Sequence, residues 1–283
     1  MKEKLNILII IGLFYSIFSQ SFEEWRDYPT CRLGRLQSPI EIKEVDSTYS
    51  NDFSFVYQNY KEIKPISITN KTYAYSSGDI KGGYINFERG GVIKQYELKR
   101  IDIYPGLHKI DGITSDYEVH LIHKKNLDFN TNKNQYRSIQ DANMYLSVVL
   151  RYNTKENCKA NNQKCTSDDG LFEKLKTLKD SNDNTVSLHL NDYPIFQDKR
   201  AFLYEGSLLQ IPCDENVNYY VVNDIFAMEE GGEFNALEDN KINITNSFDR
   251  PIYKNFMNYR EVMKSNVISI KLLTLIVLLF FLL

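Results

Sequence analysis

Hydrophobic and polar residues alternate along most of the central part of the chain, a period-two pattern that is typical of β-strands. The alternating runs, separated by clusters of Gly, Asn and Asp, cover residues 53–57, 84–87, 95–103, 117–123, 145–152, 201–204 and 219–222. Two stretches have helical spacing instead, residues 171–179 and, more weakly, residues 223–229. The pattern predicts a mainly β fold with a few surface helices, in a single domain over residues 22–265.

One polar stretch interrupts this pattern. Residues 153–169 contain few apolar side chains but include Cys158 and Cys165. We interpret the stretch as a surface insertion that is closed by its own disulfide.

The N-terminus has the features of a secretory signal peptide. Residues 1–4 include two lysines, residues 5–18 are mostly apolar, and Ser19 and Ser21 have the spacing of a signal-peptidase site. The alternative is an N-terminal membrane anchor, but the apolar run is shorter than the ~20 residues that span a bilayer. We therefore expect residues 1–21 to be removed from the mature chain.

The C-terminus is apolar up to its last residue. Within the tail of residues 266–283, Lys271 is followed only by uncharged residues. Such a tail is typical of a glycolipid-anchor signal, with residues 255–258 as the preferred cut. The alternative is a transmembrane helix whose Lys271 reaches the membrane interface. Both interpretations attach the domain to a membrane through the tail, with the domain on the extracellular face and the chain in the secretory pathway.

Composition narrows the range of partners. The chain has 34 basic and 37 acidic residues and a net charge of -3, so it lacks the electrostatic signature of a nucleic-acid-binding protein. The sequence shows no basic stripe for sulfated glycans either. Export permits disulfides, and it exposes Asn70 and Asn243, each in an N-x-T tripeptide, to glycosylation.

Several motifs together resemble the α-carbonic anhydrase family. They occur in the family's order between residues 25 and about 255: Trp25, Cys31, residues 37–42 (QSPIEI), Gly90 with Gly91, residues 108–112 (HKIDG), residues 118–123 (EVHLIH), residues 204–213 (YEGSLLQIPC) and residues 246–251. The resemblance implies a large, twisted, mostly antiparallel sheet with helices on its surface. It also implies an active-site pit in which three histidines hold zinc, two from an H-x-H strand and one from its neighbour.

The resemblance also reveals which functional residues this chain has lost. Asp102 and Tyr104 occupy the two H-x-H positions, so only His120 remains of the three zinc ligands. The polar residues that orient the zinc-bound hydroxide correspond to Leu107 and Leu209, whose side chains cannot form hydrogen bonds. The region of the proton-shuttle histidine, around residues 71–75, contains no histidine.

Two supporting residues of the family site are retained. Glu118 corresponds to the residue that orients the third histidine ligand, and His108 belongs to the same supporting layer. His123 is an odd number of residues from His120 and should face the other side of the strand.

The remnant site allows two interpretations. Asp102, Tyr104 and His120 offer an O, O, N ligand set that suits iron or manganese. Alternatively they fill the emptied pit, with Tyr104 providing bulk and Asp102 paired with His120 or Arg100, because a lone buried carboxylate is costly. We favour the second interpretation and expect no catalytic residue, no metal and no cofactor.

The resemblance also predicts how the cysteines pair. Cys31 and Cys213 match the pair that is bridged in secreted members of the family, which leaves Cys158 to pair with Cys165.

Three functions remain open at this stage. The first is an inactive, membrane-attached extracellular carbonic anhydrase-like domain that binds an unidentified extracellular ligand or protein, or serves as a structural module. The second is a carbonic anhydrase with an atypical metal site, in which case zinc would be the cofactor. The third is a surface enzyme of different chemistry that uses Asp102 with His120 as a base pair, and a plugged pit would count against it.

Overall fold

The structure is a computed structural model that describes most of the predicted domain. It covers residues 28–50, 53–58, 68–70, 74–77, 80, 82–89, 92–129, 145–167, 170–180, 188–190, 193, 199–229 and 253–257. Several predictions lie outside these residues: the signal peptide of residues 1–21, Trp25, Gly90 with Gly91, Asn243, the motif of residues 246–251 and the tail of residues 266–283. The side chain of Asn70 is also outside the description.

The described residues form mostly strands. The strands are β1 (Glu41–Ile42), β2 (Thr48–Tyr49), β3 (Phe53–Gln58), β4 (Ile68–Asn70), β5 (Tyr75–Ser77), β6 (Tyr84–Arg89), β7 (Val92–Pro105), β8 (Lys109–Ile110), β9 (Ile113–Thr114), β10 (Tyr117–Lys125), β11 (Tyr145–Thr154), β12 (Thr166–Ser167), β13 (Lys199–Gly206), β14 (Val217–Met228) and β15 (Tyr253–Met257). The helices are α1 (Pro29–Leu33), α2 (Lys155–Ala160) and α3 (Leu171–Asp180), with a 3-10 turn at Glu44–Asp46.

The seven predicted strands all form, as β3, β6, β7, β10, β11, β13 and β14, and the stronger predicted helix forms as α3. The short strands that the periodicity did not reveal are two to five residues long, too short for an alternation to stand out.

Twelve of these strands form one large sheet. Nine of them follow the order β2-β15-β13-β14-β11-β10-β7-β5-β4; in addition, β6 pairs with β7, β3 pairs with β6, and β12 pairs with β14. The pairs β11/β14, β12/β14 and β15/β2 are parallel and the other pairs of this sheet are antiparallel. The predicted large, mostly antiparallel sheet is therefore confirmed. Strands β1, β8 and β9 form a small separate sheet.

The two faces of the large sheet are buried in different ways. Because side chains alternate along a strand, Val119 and Leu121 of β10 join an apolar core that also contains Phe172 of α3. Glu118 and His120 alternate with them and are buried as polar residues. Tyr104 belongs to a second core cluster. The predicted site residues therefore lie on this second face.

The weaker predicted helix at residues 223–229 is wrong, because β14 continues through that segment as far as Met228. Val149 pairs with Val221, but the next paired residue, Arg151, pairs with Ile225, so β14 carries extra residues at this point. This β-bulge places two polar residues within an apolar strand and gives it an apparently helical spacing.

The polar stretch after β11 is a disulfide-closed insertion, as predicted. It contains α2 and β12, and Cys158 and Cys165 are bonded across it. The predicted pairing of Cys31 with Cys213 also forms and ties α1 to the segment after β13. In the described part of the chain, no helix combines the length and apolar character needed to cross a membrane.

Candidate functional site

The remnant site is built on the two central strands β7 and β10. These strands are antiparallel, and their register places His120 opposite Asp102 and Glu118 opposite Tyr104. Because residues two apart on a strand face the same side, Asp102, Tyr104, Glu118 and His120 come together on one face. All four side chains are buried. The structure thus assembles the remnant set that the sequence predicted.

Asp102 is held by an arginine rather than by His120. The Nε atom of Arg100 lies 2.8 Å from Oδ1 of Asp102 and 3.0 Å from its Oδ2, and only the Oδ2 contact has hydrogen-bond geometry. The hydroxyl of Tyr104 donates to the same Oδ2 over 3.1 Å. Asp102 therefore pairs with Arg100 and not with His120, the other partner considered. This pair resolves the cost of burying a lone carboxylate.

Tyr104 lies on the same face of the sheet as His120 and beside it. Its ring packs edge-on against His120, with 4.8 Å between ring centroids. Burial, together with the charge of Asp102, raises the pKa of Tyr104 well above its usual value. Tyr104 is therefore a neutral phenol that donates to Asp102, and its side chain lines the small cavity described below.

Glu118 is the most heavily hydrogen-bonded group of the site. Its Oε1 accepts from the backbone N–H groups of Leu107 and His108, over 3.1 and 2.6 Å. Its Oε2 lies 2.8 Å from Nδ1 of His108 and 2.9 Å from Nε2 of His120. Burial alone would raise the pKa of Glu118, but the interactions with His108 and His120 outweigh it and hold the pKa well below the usual range. Glu118 is therefore ionised and accepts from both rings.

The tautomers of both histidines follow from this arrangement. Burial lowers the pKa of His120 in spite of the nearby Glu118, so the ring is neutral and its single N–H, on Nε2, points at Glu118. Its Nδ1 is left as an acceptor, and the hydroxyl of Ser147 lies 3.4 Å away. The hydrogen bond from Nε2 to Glu118 thus fixes the orientation of the His120 ring.

His108 extends the network away from the pit. Its Nδ1–H donates to Glu118, so its Nε2 accepts from the hydroxyl of Tyr204 over 2.6 Å. That hydroxyl also lies 3.2 Å from Oγ of Ser38, which accepts from the backbone N–H of Ser207. His108, immediately before β8, therefore links Glu118 of β10 to Tyr204 of β13.

The cavity that remains is very small. It is lined by Arg100, Tyr104, His120 and Leu209, among others, and has a volume of about 10 Å³. That is room for about one water molecule. Leu209 and Leu107, at the predicted orienting positions, are both buried. The floor of the pit is therefore plugged, which counts against a surface enzyme that would bind a substrate there.

Three groups lie close enough to suggest a metal site: the ligand atoms of His108, Glu118 and His120 are all within 4.8 Å of one another. These atoms, however, already form the two hydrogen bonds to Glu118, and a metal ion would have to displace both.

The predicted set of Asp102, Tyr104 and His120 does not suit zinc, iron or manganese either. A dication bound to Asp102 would lie beside the guanidinium of Arg100 and be repelled by it. Zinc also prefers imidazole and thiolate ligands, and His120 alone offers one here. These residues do not fit the family's zinc.

Sequence reasoning missed two neighbours of His120. Ser147 faces its Nδ1, and Tyr219 packs against its ring with 6.1 Å between centroids. Ser147 is the one polar residue within the run 145–150 (YLSVVL), and such an interruption of a buried strand is a usable indication of a site. Tyr219 gives no such indication, because tyrosine is common in strands.

His123 takes no part in the site. It follows an irregularity in the β7/β10 register, and its Nδ1 lies 3.1 Å from the carbonyl oxygen of Leu146. Burial lowers its pKa to about 4, so it is neutral. Its exclusion from the metal site was predicted.

This fold and this site define a carbonic anhydrase-like protein. The family model described as eukaryotic-type carbonic anhydrase matches residues 20–270, so the chain belongs to that family. It is 27% identical over 214 residues to alpha carbonic anhydrase 8 of Arabidopsis thaliana, a match that covers 71% of this chain but only 46% of that protein. It is 25% identical to carbonic anhydrase 6 of Mus musculus over 280 residues, covering 88% of this chain and 82% of that one.

Solved structures agree on the fold. The α-carbonic anhydrase of Thermovibrio ammonificans, in complex with the inhibitor sulfanilamide, is similar with a TM-score of 0.56 at 18% identity, covering 81% of this chain and 91% of that one. Dioscorin in complex with ascorbate gives a TM-score of 0.57 at 17% identity, with coverages of 83% and 91%. At these identities the likeness concerns the fold alone.

Proposed function

We propose that this chain is a membrane-attached, extracellular carbonic anhydrase-like domain that does not hydrate CO2 and acts as a binding or structural module. One observation carries the proposal: Arg100 and Tyr104 both contact the carboxylate of Asp102, and the family resemblance assigns Asp102 and Tyr104 to the two H-x-H positions. These residues would then form a polar plug, in which Asp102 pairs with Arg100 and accepts from Tyr104, in place of a metal-binding floor.

The family's reaction depends on a zinc-bound water whose pKa is lowered to ~7. In this chain one imidazole faces the former metal position, next to a guanidinium. The remaining volume of about 10 Å³ leaves no room for CO2 beside a metal-bound water. Leu209 cannot hydrogen-bond a hydroxide that did form. Binding, orientation and activation of water are therefore impaired together.

The extracellular location is supported by the two disulfides, which persist in oxidising compartments and are rare in the cytosol. The predicted signal peptide agrees with this route. Attachment rests on the apolar tail of residues 266–283. A cut at Asn255 conflicts with the fold, because Asn255 pairs with Ala201 inside β15. A glycolipid anchor would therefore be added after Met257, the last residue of that strand.

The experiment measures zinc content and CO2 hydration of the purified protein, and we expect neither. The double variant Asp102→His with Tyr104→His should then bind some zinc, since two imidazoles replace the plug, but should regain little turnover because Leu107 and Leu209 are unchanged. Asp102→Asn with Tyr104→Phe is the matched control, which removes the charge of Asp102 and the hydroxyl of Tyr104 without adding an imidazole ligand.

The second candidate, a carbonic anhydrase with an atypical metal site, is favoured by the retained orientation of His120 by Glu118. Stoichiometric zinc together with CO2 hydration in the unmodified protein would establish it and end the first proposal.

A further inference from the structure

A shallow depression opens at the disulfide-closed insertion, and we name it the basic cleft. It has a volume of about 530 Å³ and is lined by Lys155, Lys159 and Lys164, together with Asn162 and Gln163. The three lysines are exposed. No acidic side chain is among the described residues that line it. A concave surface with three cations and two amides is suited to an anionic ligand.

The fold brings these lysines together although they are spread over ten positions of the sequence. Lys155 and Lys159 are four residues apart in α2 and therefore share one face of the helix. The bond between Cys158 and Cys165 folds the following segment back onto the helix. Lys164, next to Cys165, is thereby placed on the same depression. This convergence explains why the sequence showed no basic stripe.

The basic cleft is held in place by buried and half-buried contacts. Asn157 of α2 donates from Nδ2 to both carboxylate oxygens of Asp116 over 2.9 Å, and the backbone N–H of Asn157 is capped by Thr154. Asn153 donates to the side-chain oxygen of Gln163 over 2.8 Å. These contacts order α2 and Gln163 before a ligand binds, so the conformational entropy lost on binding is mainly that of the exposed lysine side chains.

The charges of the basic cleft are available to a ligand. Lys155 pairs with Glu229, but both side chains are more than half exposed, and such pairs contribute little. Lys159 and Lys164 form no ion pair with any other residue that the structure describes. Since the whole chain carries a net charge of -3, the cleft is a local positive region on an otherwise slightly acidic protein.

We propose that the basic cleft binds an anionic, sulfated glycan, an inference that rests on the proposed extracellular binding role. Lysine ammonium groups recognise sulfate and carboxylate as point charges, and the amides of Asn162 and Gln163 offer hydrogen bonds to sugar hydroxyls. The described lining includes no large apolar or aromatic side chain of the kind that anchors a protein partner. This chemistry favours a polar, charged chain over a folded protein surface.

The test measures binding of the purified protein, with both disulfides intact, to heparin at low ionic strength. Desulfated heparin and poly-glutamate serve as comparison probes. We expect binding to heparin that weakens as salt is added, with weaker binding to the other two probes. The triple variant Lys155→Gln, Lys159→Gln and Lys164→Gln should lower the affinity about tenfold or more.

Matched variants distinguish heparin binding by the basic cleft from a general effect of the net charge of the protein on heparin binding. Lys43→Gln with Lys94→Gln and Lys109→Gln removes the same charge elsewhere and should retain the binding. Glu229→Gln frees Lys155 and should strengthen binding. Glu205→Gln makes the same change in charge beside Asn218, near the start of β14 and far from the cleft residue Ala227, and should have less effect.

Three outcomes would overturn the inference: no binding of heparin, equal loss in the two triple variants, or binding of poly-glutamate as strong as that of heparin, which would point to an acidic peptide. All three are independent of zinc content and CO2 hydration. Heparin binding by a protein that proved to be an active enzyme would overturn the proposed function and leave the basic cleft intact.

Discussion

Replacing Glu118 with glutamine tests the network that orients His120. The wild-type carboxylate accepts four hydrogen bonds, two from backbone N–H groups and two from histidine rings. Glutamine keeps one oxygen and places an NH2 group where the other accepted. Hydrogen bonds to a charged group contribute ~1.5–3 kcal/mol each and neutral ones ~0.5–1.5 kcal/mol. Even if both rings change tautomer to accept from the amide, we expect Glu118→Gln to reduce the free energy of unfolding by about 2–4 kcal/mol.

The pH dependence gives the same prediction a second readout. Because the folded-state pKa of Glu118 is held below its unfolded value of ~4.3, its stabilising contribution is complete above that pH and is lost as the pH falls below it. The wild type should therefore lose stability in acid more steeply than Glu118→Gln, by up to ~1.4 kcal/mol per pH unit.

The assay is urea unfolding at pH 7 and at several values between pH 5 and pH 3, with Glu205→Gln as the control for loss of an exposed carboxylate. Nitrogen NMR of His120 adds a direct test, since the proton should be on Nε2 in the wild type. Unchanged stability and an unchanged acid slope in Glu118→Gln would refute the account of Glu118 as an ionised, fourfold acceptor.

Three further predictions concern the plug, the disulfides and the anchor. Tyr104→Phe should cost about 1.5–3 kcal/mol in free energy of unfolding, since Asp102 keeps Arg100 but its carboxylate loses one hydrogen bond. Urea unfolding measures this loss, and no change would show that the bond is not formed. Replacing both cysteines of the Cys31–Cys213 pair with serine should lower the free energy of unfolding by about 5 kcal/mol, and replacing those of the Cys158–Cys165 pair should lower it by about 2.5 kcal/mol, because the first pair closes the longer loop. Equal losses would contradict this reasoning. Non-reducing peptide mapping checks both pairs in the purified protein. A phosphatidylinositol-specific phospholipase should release the protein from intact cells, whereas recovery of a peptide covering residues 272–283 from the mature chain would demonstrate a spanning tail instead.

The strand pattern and the family motifs were sufficient to predict the large sheet and its seven main strands, and they placed the remnant residues on two neighbouring strands. Period-two alternation is a local property, and Asp102, Tyr104, Glu118 and His120 needed only their parity on two neighbouring strands to be placed on one face. The prediction failed at residues 223–229, where a bulge in β14 altered the alternation. A bulge is defined by what the partner strand does, so the residues of β14 alone could not reveal it.

From the sequence, the family resemblance predicts that the family's ligands and orienting residues are replaced, because that prediction needs only the residue types at matched positions. Which partner Asp102 takes was decided only by the tertiary structure: Arg100 and His120 were both within reach, and the fold gives His120 to Glu118 and Arg100 to Asp102. The basic cleft likewise exists only in three dimensions, since a helical turn and a disulfide bring together lysines that are separated along the chain. The physical reason is the same in both cases. Whether charged side chains meet depends on which of them lie close together in space. Strand pairing and disulfide bonds decide this, whereas the local sequence pattern decides only where the strands and helices form.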